Sequence, residues 1–65
     1  MTVYLTRAEK CVARLIDDGY TTKEMALKLH LSIRTIEAHR HRLCKKLAVR
    51  SSYLAVALCK IKQLL

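Results

Sequence analysis

Apolar positions recur every three or four residues along most of this chain, and a Ser or Thr stands ahead of each run. Successive helical residues advance by about 100°, so this period sets one side of a helix against a core. Thr6-Arg7-Ala8-Glu9 reads as a capping box: the Thr6 hydroxyl meets an early N–H and Glu9 reaches back to the cap. The helix it opens, over about residues 7–18, sets Ala8, Cys11, Val12 and Leu15 on one face with Ile16 at its margin. Gly19 follows as a residue able to take positive φ and end it. Thr21-Thr22-Lys23-Glu24 is a second capping box and predicts a short helix over 22–29, with Met25, Ala26 and Leu29 inward. His30 interrupts the apolar run. His is enriched among non-glycine residues in the left-handed region, so it is read as a tight turn. Ser32 then caps a longer helix over 33–47. Val49-Arg50-Ser51-Ser52 forms a short connection in which Ser51 or Ser52 caps a fourth helix over about 52–62.

Composition narrows this to one small all-α domain over residues 1–65. A chain of that length buries only about 60% of the surface it exposes when unfolded, which leaves little room for an interior substrate cavity. An apolar fraction of 52% is too high for a disordered segment. Pro is absent and Gly19 is the single glycine, which argues against a many-stranded β architecture and excludes a glycine-rich phosphate loop. Cys11, Cys44 and Cys59 are an odd, widely spaced set with no CxxC pair, read as packed thiols rather than a disulfide framework. The opening Met-Thr-Val-Tyr-Leu-Thr-Arg lacks the form of a signal peptide, and Tyr53–Cys59 falls far short of the ~20 residues of a membrane span. A cytoplasmic protein is expected.

Charge changes the picture most. The net charge is +8, and it is unevenly spread. Residues 1–33 carry five basic against four acidic side chains, whereas 34–65 carry eight basic side chains against Glu37 alone. In the third helix Ile36, Leu43 and Leu47 fall within a narrow arc and form the buried stripe, while Arg34, Glu37, Ala38, His41 and Lys45 lie opposite. His39, Arg40, Arg42 and Lys46 flank them. So many like charges on one helix repel one another unless an anion is near. A short helix and a tight turn ahead of a basic helix is an arrangement that presents the second helix to the major groove of DNA. Arg34, Glu37, Ala38 and His41 are then the candidate base readers. Glu37 accepts from a cytosine or adenine amino group, Ala38 meets a thymine methyl, and Arg34 or His41 donates to guanine. Thr21, Thr22, Lys23, Thr35, Lys45, Lys46 and Arg50 suit phosphates, partly through N–H groups at helix N-termini.

Catalysis is not expected. No Ser, His and acid arrangement is suggested, and no carboxylate pair sits near the basic face to hold Mg²⁺. His39 and His41 are two apart on different faces, and His41 with Cys44 is a ligand pair short of a zinc site. No metal or cofactor is expected. The separate capping signals and the core stripes argue for a folded domain over a basic amphipathic membrane binder.

These residues resemble a known family. Leu5-Thr6-x-x-Glu9, Val12, Leu15-Ile16-x-x-Gly19, Thr21-x-Lys23-Glu24-Met25-Ala26-x-x-Leu29-x-Leu31-Ser32, Thr35-Ile36-Glu37-x-His39-Arg40 and Lys46-Leu47-x-Val49-Arg50-Ser51 look like the LuxR-type (GerE) helix-turn-helix DNA-binding domain. The match covers nearly the whole chain. It implies a four-helix fold with the third helix as recognition helix, transcription regulation, and dimers formed on DNA through the fourth helix. By position, Glu37, Ala38 and His41 match the family's variable base-reading sites, and Thr35, His39, Lys46, Arg50 and Ser51 match sites that commonly touch the DNA backbone. The departures are Ala13, where Leu is frequent, and Ala48 and His30, where glycine is frequent. Members usually carry a regulatory domain in front, which this stretch does not contain. It reads as an excised domain or as a free-standing regulator.

Tyr53-Leu54-Ala55-Val56-Ala57-Leu58-Cys59 has no charge on any face. With Leu54, Leu58, Ile61 and Leu65 turned to the core, Val56 or Tyr53 and Ala57 or Cys59 are left outside. An apolar outer face of this kind marks an interface. The expected partners are double-stranded DNA, a second copy of the chain and, as an alternative role, a longer LuxR-type regulator that the domain would pair with and modulate.

Overall fold

The computed structural model describes residues 3–65, so Met1 and Thr2 of the domain expected over 1–65 lie outside the described residues. Four helices follow in order: α1 (Arg7–Asp17), α2 (Thr22–Leu29), α3 (Ile33–Leu47) and α4 (Ser52–Ile61). The fold is the all-α helix-turn-helix arrangement, with no strand among the described residues. α1 and α4 each end one residue sooner than the spacing predicts, with Asp18 and Lys62 as C-caps.

Each helix begins on a hydroxyl. Thr6, Thr21, Ser32 and Ser51 accept bonds from backbone N–H groups of the first turn, and the boxes at Thr6/Glu9 and Thr21/Glu24 are reciprocal. Ser51 is therefore the cap of α4, and Ser52 is its first helical residue.

The helices also end alike. A residue with left-handed backbone follows each one: Gly19 (φ 92), His30 (φ 57), Ala48 (φ 56) and Gln63 (φ 57). The next N–H then donates to a carbonyl five residues back, in Tyr20→Leu15, Leu31→Ala26, Val49→Cys44 and Leu64→Cys59. This is the Schellman closure, in which the residue after the left-handed one is commonly apolar. Here it is Tyr20, Leu31, Val49 and Leu64, three of which pack on the core. The chain makes four such stops with a single glycine.

α3 runs through the centre, packing on α1, α2 and α4, while α4 also packs on α1. The core comprises Val12, Ala13, Leu15 and Ile16 from α1, Met25 and Ala26 from α2, Ile36, Leu43 and Leu47 from α3, and Ala55, Val56 and Cys59 from α4. Ala13 is fully buried, a small side chain inside the core. All three cysteines are free, with Cys59 buried and Cys11 and Cys44 half-buried.

α4 is rotated from the expected orientation. Leu54 and Ile61, expected inward, are 52% and 77% exposed, while Val56 and Cys59, expected as outer interface residues, are 4% and 0% exposed. The inward stripe is Ser52, Ala55, Val56 and Cys59, spaced three and four apart. Small and medium side chains there let α4 lie close against α1 and α3, with Leu54 and Ile61 left outside, while Leu58 and Leu65, also expected inward, are half-buried against the core. Lys60 Nζ donates to Asp17 Oδ1 at 3.2 Å across α4 and α1, consistent with this rotation.

Candidate nucleic-acid interface

The turn between α2 and α3 fixes how α3 is shown. His30 takes the left-handed conformation and Ser32 caps α3, leaving only three residues between the helices. Ser32 Oγ accepts from the Thr35 N–H at 3.1 Å, and the two hydroxyls meet at 2.9 Å. With Ile36, Leu43 and Leu47 buried, Arg34, Glu37, Ala38 and His41 stand exposed on the far side of α3. The four candidate base readers thus share one open face.

An open groove of about 480 Å³ runs beside this face, lined by Thr22 of α2, by Glu37, Arg40, His41, Cys44 and Lys45 of α3, and by Val49, Arg50 and Ser52 beyond it. Lys45, Arg50 and Lys23 are exposed, as are Thr21 and Ser51, while Thr22, Thr35 and His39 are half-buried. His39 Nδ1 is buried without a hydrogen-bond partner among the described residues. The hydroxyls of Thr21 and Ser51 accept cap bonds, and that of Thr22 accepts from Arg40. The hydroxyls of Thr22 and Ser51 keep their own hydrogen to donate outward.

Lys46 behaves differently from the other rim cations expected. Its ammonium donates to Glu9 Oε1 at 2.6 Å and to the Tyr4 carbonyl at 3.0 Å, so it ties α3 to α1 while the side chain stays exposed. Burial pushes the Glu9 carboxyl up, but the bond from Lys46, the Thr6 N–H and the Lys46 charge outweigh it, and the net pKa lies below the ordinary value.

Arg40 is the residue that sequence reasoning left among the flanks. Its Nε and Nη2 donate to Ser52 Oγ at 3.1 and 2.6 Å, its Nη1 donates to Thr22 Oγ1, and its guanidinium lies 5.7 Å from the Tyr53 ring centroid. The signal was present in the angles. Counted from Arg34, Arg40 falls at about 240°, at the edge of the buried stripe and not among the outward positions.

The family model for "Bacterial regulatory proteins, luxR family" (GerE) matches residues 3–59, which spans all four capped helices except the end of α4. The chain belongs to the LuxR family. It carries that family's GerE-type helix-turn-helix domain, a module of DNA-binding transcription regulation. Similar proteins include the probable transcriptional regulator ycf29 of Porphyra purpurea, 43% identical over 83% of this chain and 26% of the relative. The uncharacterized response regulatory protein YgeK of Escherichia coli is 49% identical over 72% of this chain and 32% of its own length. The oxygen regulatory protein NreC of Staphylococcus aureus is 40% identical over 72% of this chain and 22% of its own. The LuxR-family domain thus spans a third or less of each of these curated relatives.

Proposed function

We propose that this LuxR-family domain, acting as one unit over residues 1–65, binds double-stranded DNA sequence-specifically as a cytoplasmic bacterial transcription regulator, with α3 in the major groove. The observation that carries this reading is the shared open face of Arg34, Glu37, Ala38 and His41 on a helix whose opposite stripe is buried. Base edges meet that face. Phosphates are met by Lys23, Lys45, Lys46 and Arg50 and by the hydroxyls of Thr21, Thr22, Thr35 and Ser51, with His39 at the margin.

Pairing on two half-sites uses the outer face of α4. The burial of Val56 and Cys59 moves that face to Tyr53, Leu54, Ala57 and Ile61, all exposed and spaced as one helical stripe. The same stripe supports a second reading, in which the domain pairs with a longer LuxR-type regulator and modulates it.

Anisotropy of a labelled random-sequence duplex, titrated at several salt concentrations, tests duplex binding. Affinity should fall steeply with salt, with a log–log slope of about −0.9 per phosphate neutralised. Absence of binding at low salt by a folded sample would discard the groove-binding role and leave the pairing role.

A further inference from the structure

α2 and α4 both pack on α3. α2 packs chiefly on α3, and α4 on α3 and α1. Among the described residues, the only side-chain hydrogen bonds joining α3 to α2 or α3 to α4 come from Arg40. Their acceptors are Thr22 and Ser52, which are the first helical residues of α2 and α4. One planar guanidinium therefore spans the two helix starts that border the groove beside α3. Its three bonds to two hydroxyls occupy N–H groups on every nitrogen, in a fork that a lysine ammonium does not reproduce. Tyr53 closes the remaining side, 5.7 Å from the guanidinium carbon.

Resting on the duplex-binding reading above, we propose that Arg40 is a positioning residue for DNA recognition: by bridging Thr22 and Ser52 it sets the distance between the α2 and α4 N-termini on either side of α3. The phosphate-binding groups at those two starts are Thr21, Thr22 and Lys23 on one side and Arg50 and Ser51 on the other. Their separation must match that of the phosphates bordering the groove for α3 to seat at the depth where its side chains reach base edges. On a random duplex the domain rides the phosphates without that seating. Arg40 thus governs specific affinity more than non-specific affinity.

The test compares wild type with Arg40→Lys, Arg40→Gln and Ser52→Ala, each shown to be helical and folded by circular dichroism at the assay temperature. The probes are a duplex selected by the wild-type chain from a random pool and a random-sequence duplex of equal length. Arg40→Lys is expected to lose roughly ten- to a hundredfold in affinity for the selected duplex, the size of a lost charge-assisted bond. Random-duplex affinity and its salt slope should stay close to wild type. Ser52→Ala, which keeps the Arg40 charge and removes one anchor, should show a smaller loss of the same kind and keeps the test open should Arg40 variants unfold. Three outcomes overturn the proposal. Arg40→Lys matching wild type while Arg40→Gln lowers the salt slope by about 0.9 would make Arg40 a direct phosphate ligand. Equal losses on both duplexes would make its role one of general stability. Failure of the wild type to bind either duplex would remove the duplex-binding reading and this inference with it.

Discussion

Lys46 donates to the buried Glu9 carboxylate across 2.6 Å, tying the last turn of α3 to the first turn of α1. Glu9 is 2% exposed and its other bonds are to Thr6, so it serves as cap and as ion-pair partner with the same side chain. Removing the cation leaves a desolvated carboxylate held only by its cap. Lys46→Met should therefore destabilise the fold by about 2 kcal/mol, a buried charge losing its partner with a discount for the partly exposed ammonium. In a domain of this size that is a fall of roughly 8–16 °C in the melting midpoint. Glu9→Gln should cost less, because Gln also serves in a capping box. The double variant should cost less than the sum of the two, and a double-mutant cycle by thermal melting measures the coupling.

The same pair predicts acid sensitivity. The folded pKa of Glu9 lies below its ordinary value, and so does that of Glu24, through the Thr21 N–H first and the Thr21 hydroxyl second. A carboxylate with a depressed folded pKa stabilises the native state above its unfolded pKa. That stabilisation is lost as pH falls through the folded value. Urea midpoints should be flat from pH 7 to about 5 and fall below the ordinary carboxylate range of about 4.3. In Glu9→Gln the acid fall should be shallower, leaving mainly the exposed Glu24 contribution.

The helices, their hydroxyl caps and the left-handed turn at His30 were legible in the sequence because each is decided by neighbours within four residues. The buried stripe of α3 was legible for the same reason, since Ile36, Leu43 and Leu47 repeat at helical spacing. The face of α4 was not. Tyr53 to Cys59 is apolar all round, so periodicity gives no direction, and choosing the largest side chains for the core picked Leu54 and Ile61. The actual contact uses Ala55, Val56 and Cys59, because close approach to α1 and α3 favours small residues. Of the groove, the shared exposure of Arg34, Glu37, Ala38 and His41 on α3 followed from the angles. The ties made by Lys46 and Arg40 did not, since both join residues at least twelve positions apart.

Ala48 holds φ 56 at the end of α3, where a β-carbon is strained and glycine is not. Ala48→Gly should raise stability by about 0.5–1 kcal/mol, the relief of left-handed strain exceeding the added freedom of the unfolded chain. His30→Gly, at φ 57, should gain less, since His tolerates this region better than Ala. Chemical denaturation of each variant checks the order. A loss of stability in Ala48→Gly would show that the methyl group packs usefully where it stands exposed.

Charge and base-reading positions should separate in binding assays. Lys45→Ala and Arg50→Ala each remove an exposed cation beside the groove, and each should weaken binding to all duplexes alike and reduce the salt slope by about one. Glu37→Ala removes a carboxylate from the reading face, and should raise random-duplex affinity while relaxing preference at one base pair, worth about 1–3 kcal/mol of discrimination. Selection from a random pool with wild type and Glu37→Ala reads the change directly. Identical selected sequences would remove Glu37 from the reading set.

The two faces of α4 make opposite predictions for a charge. Val56 is in the core, so Val56→Glu places an unpaired carboxylate among Ile16, Ala55 and their neighbours and should unfold the domain. Ile61 and Ala57 are exposed, so Ile61→Glu and Ala57→Glu should leave melting within about 0.5 kcal/mol of wild type. If the outer stripe pairs two domains on DNA, these variants should bind a single half-site like wild type and lose the cooperative gain on two half-sites, seen as a 1:1 complex in sedimentation. Retention of a 2:1 complex by both variants would move the pairing surface elsewhere. A folded Val56→Glu would instead show that α4 can rotate, and would reopen Val56 and Cys59 as outer-face residues.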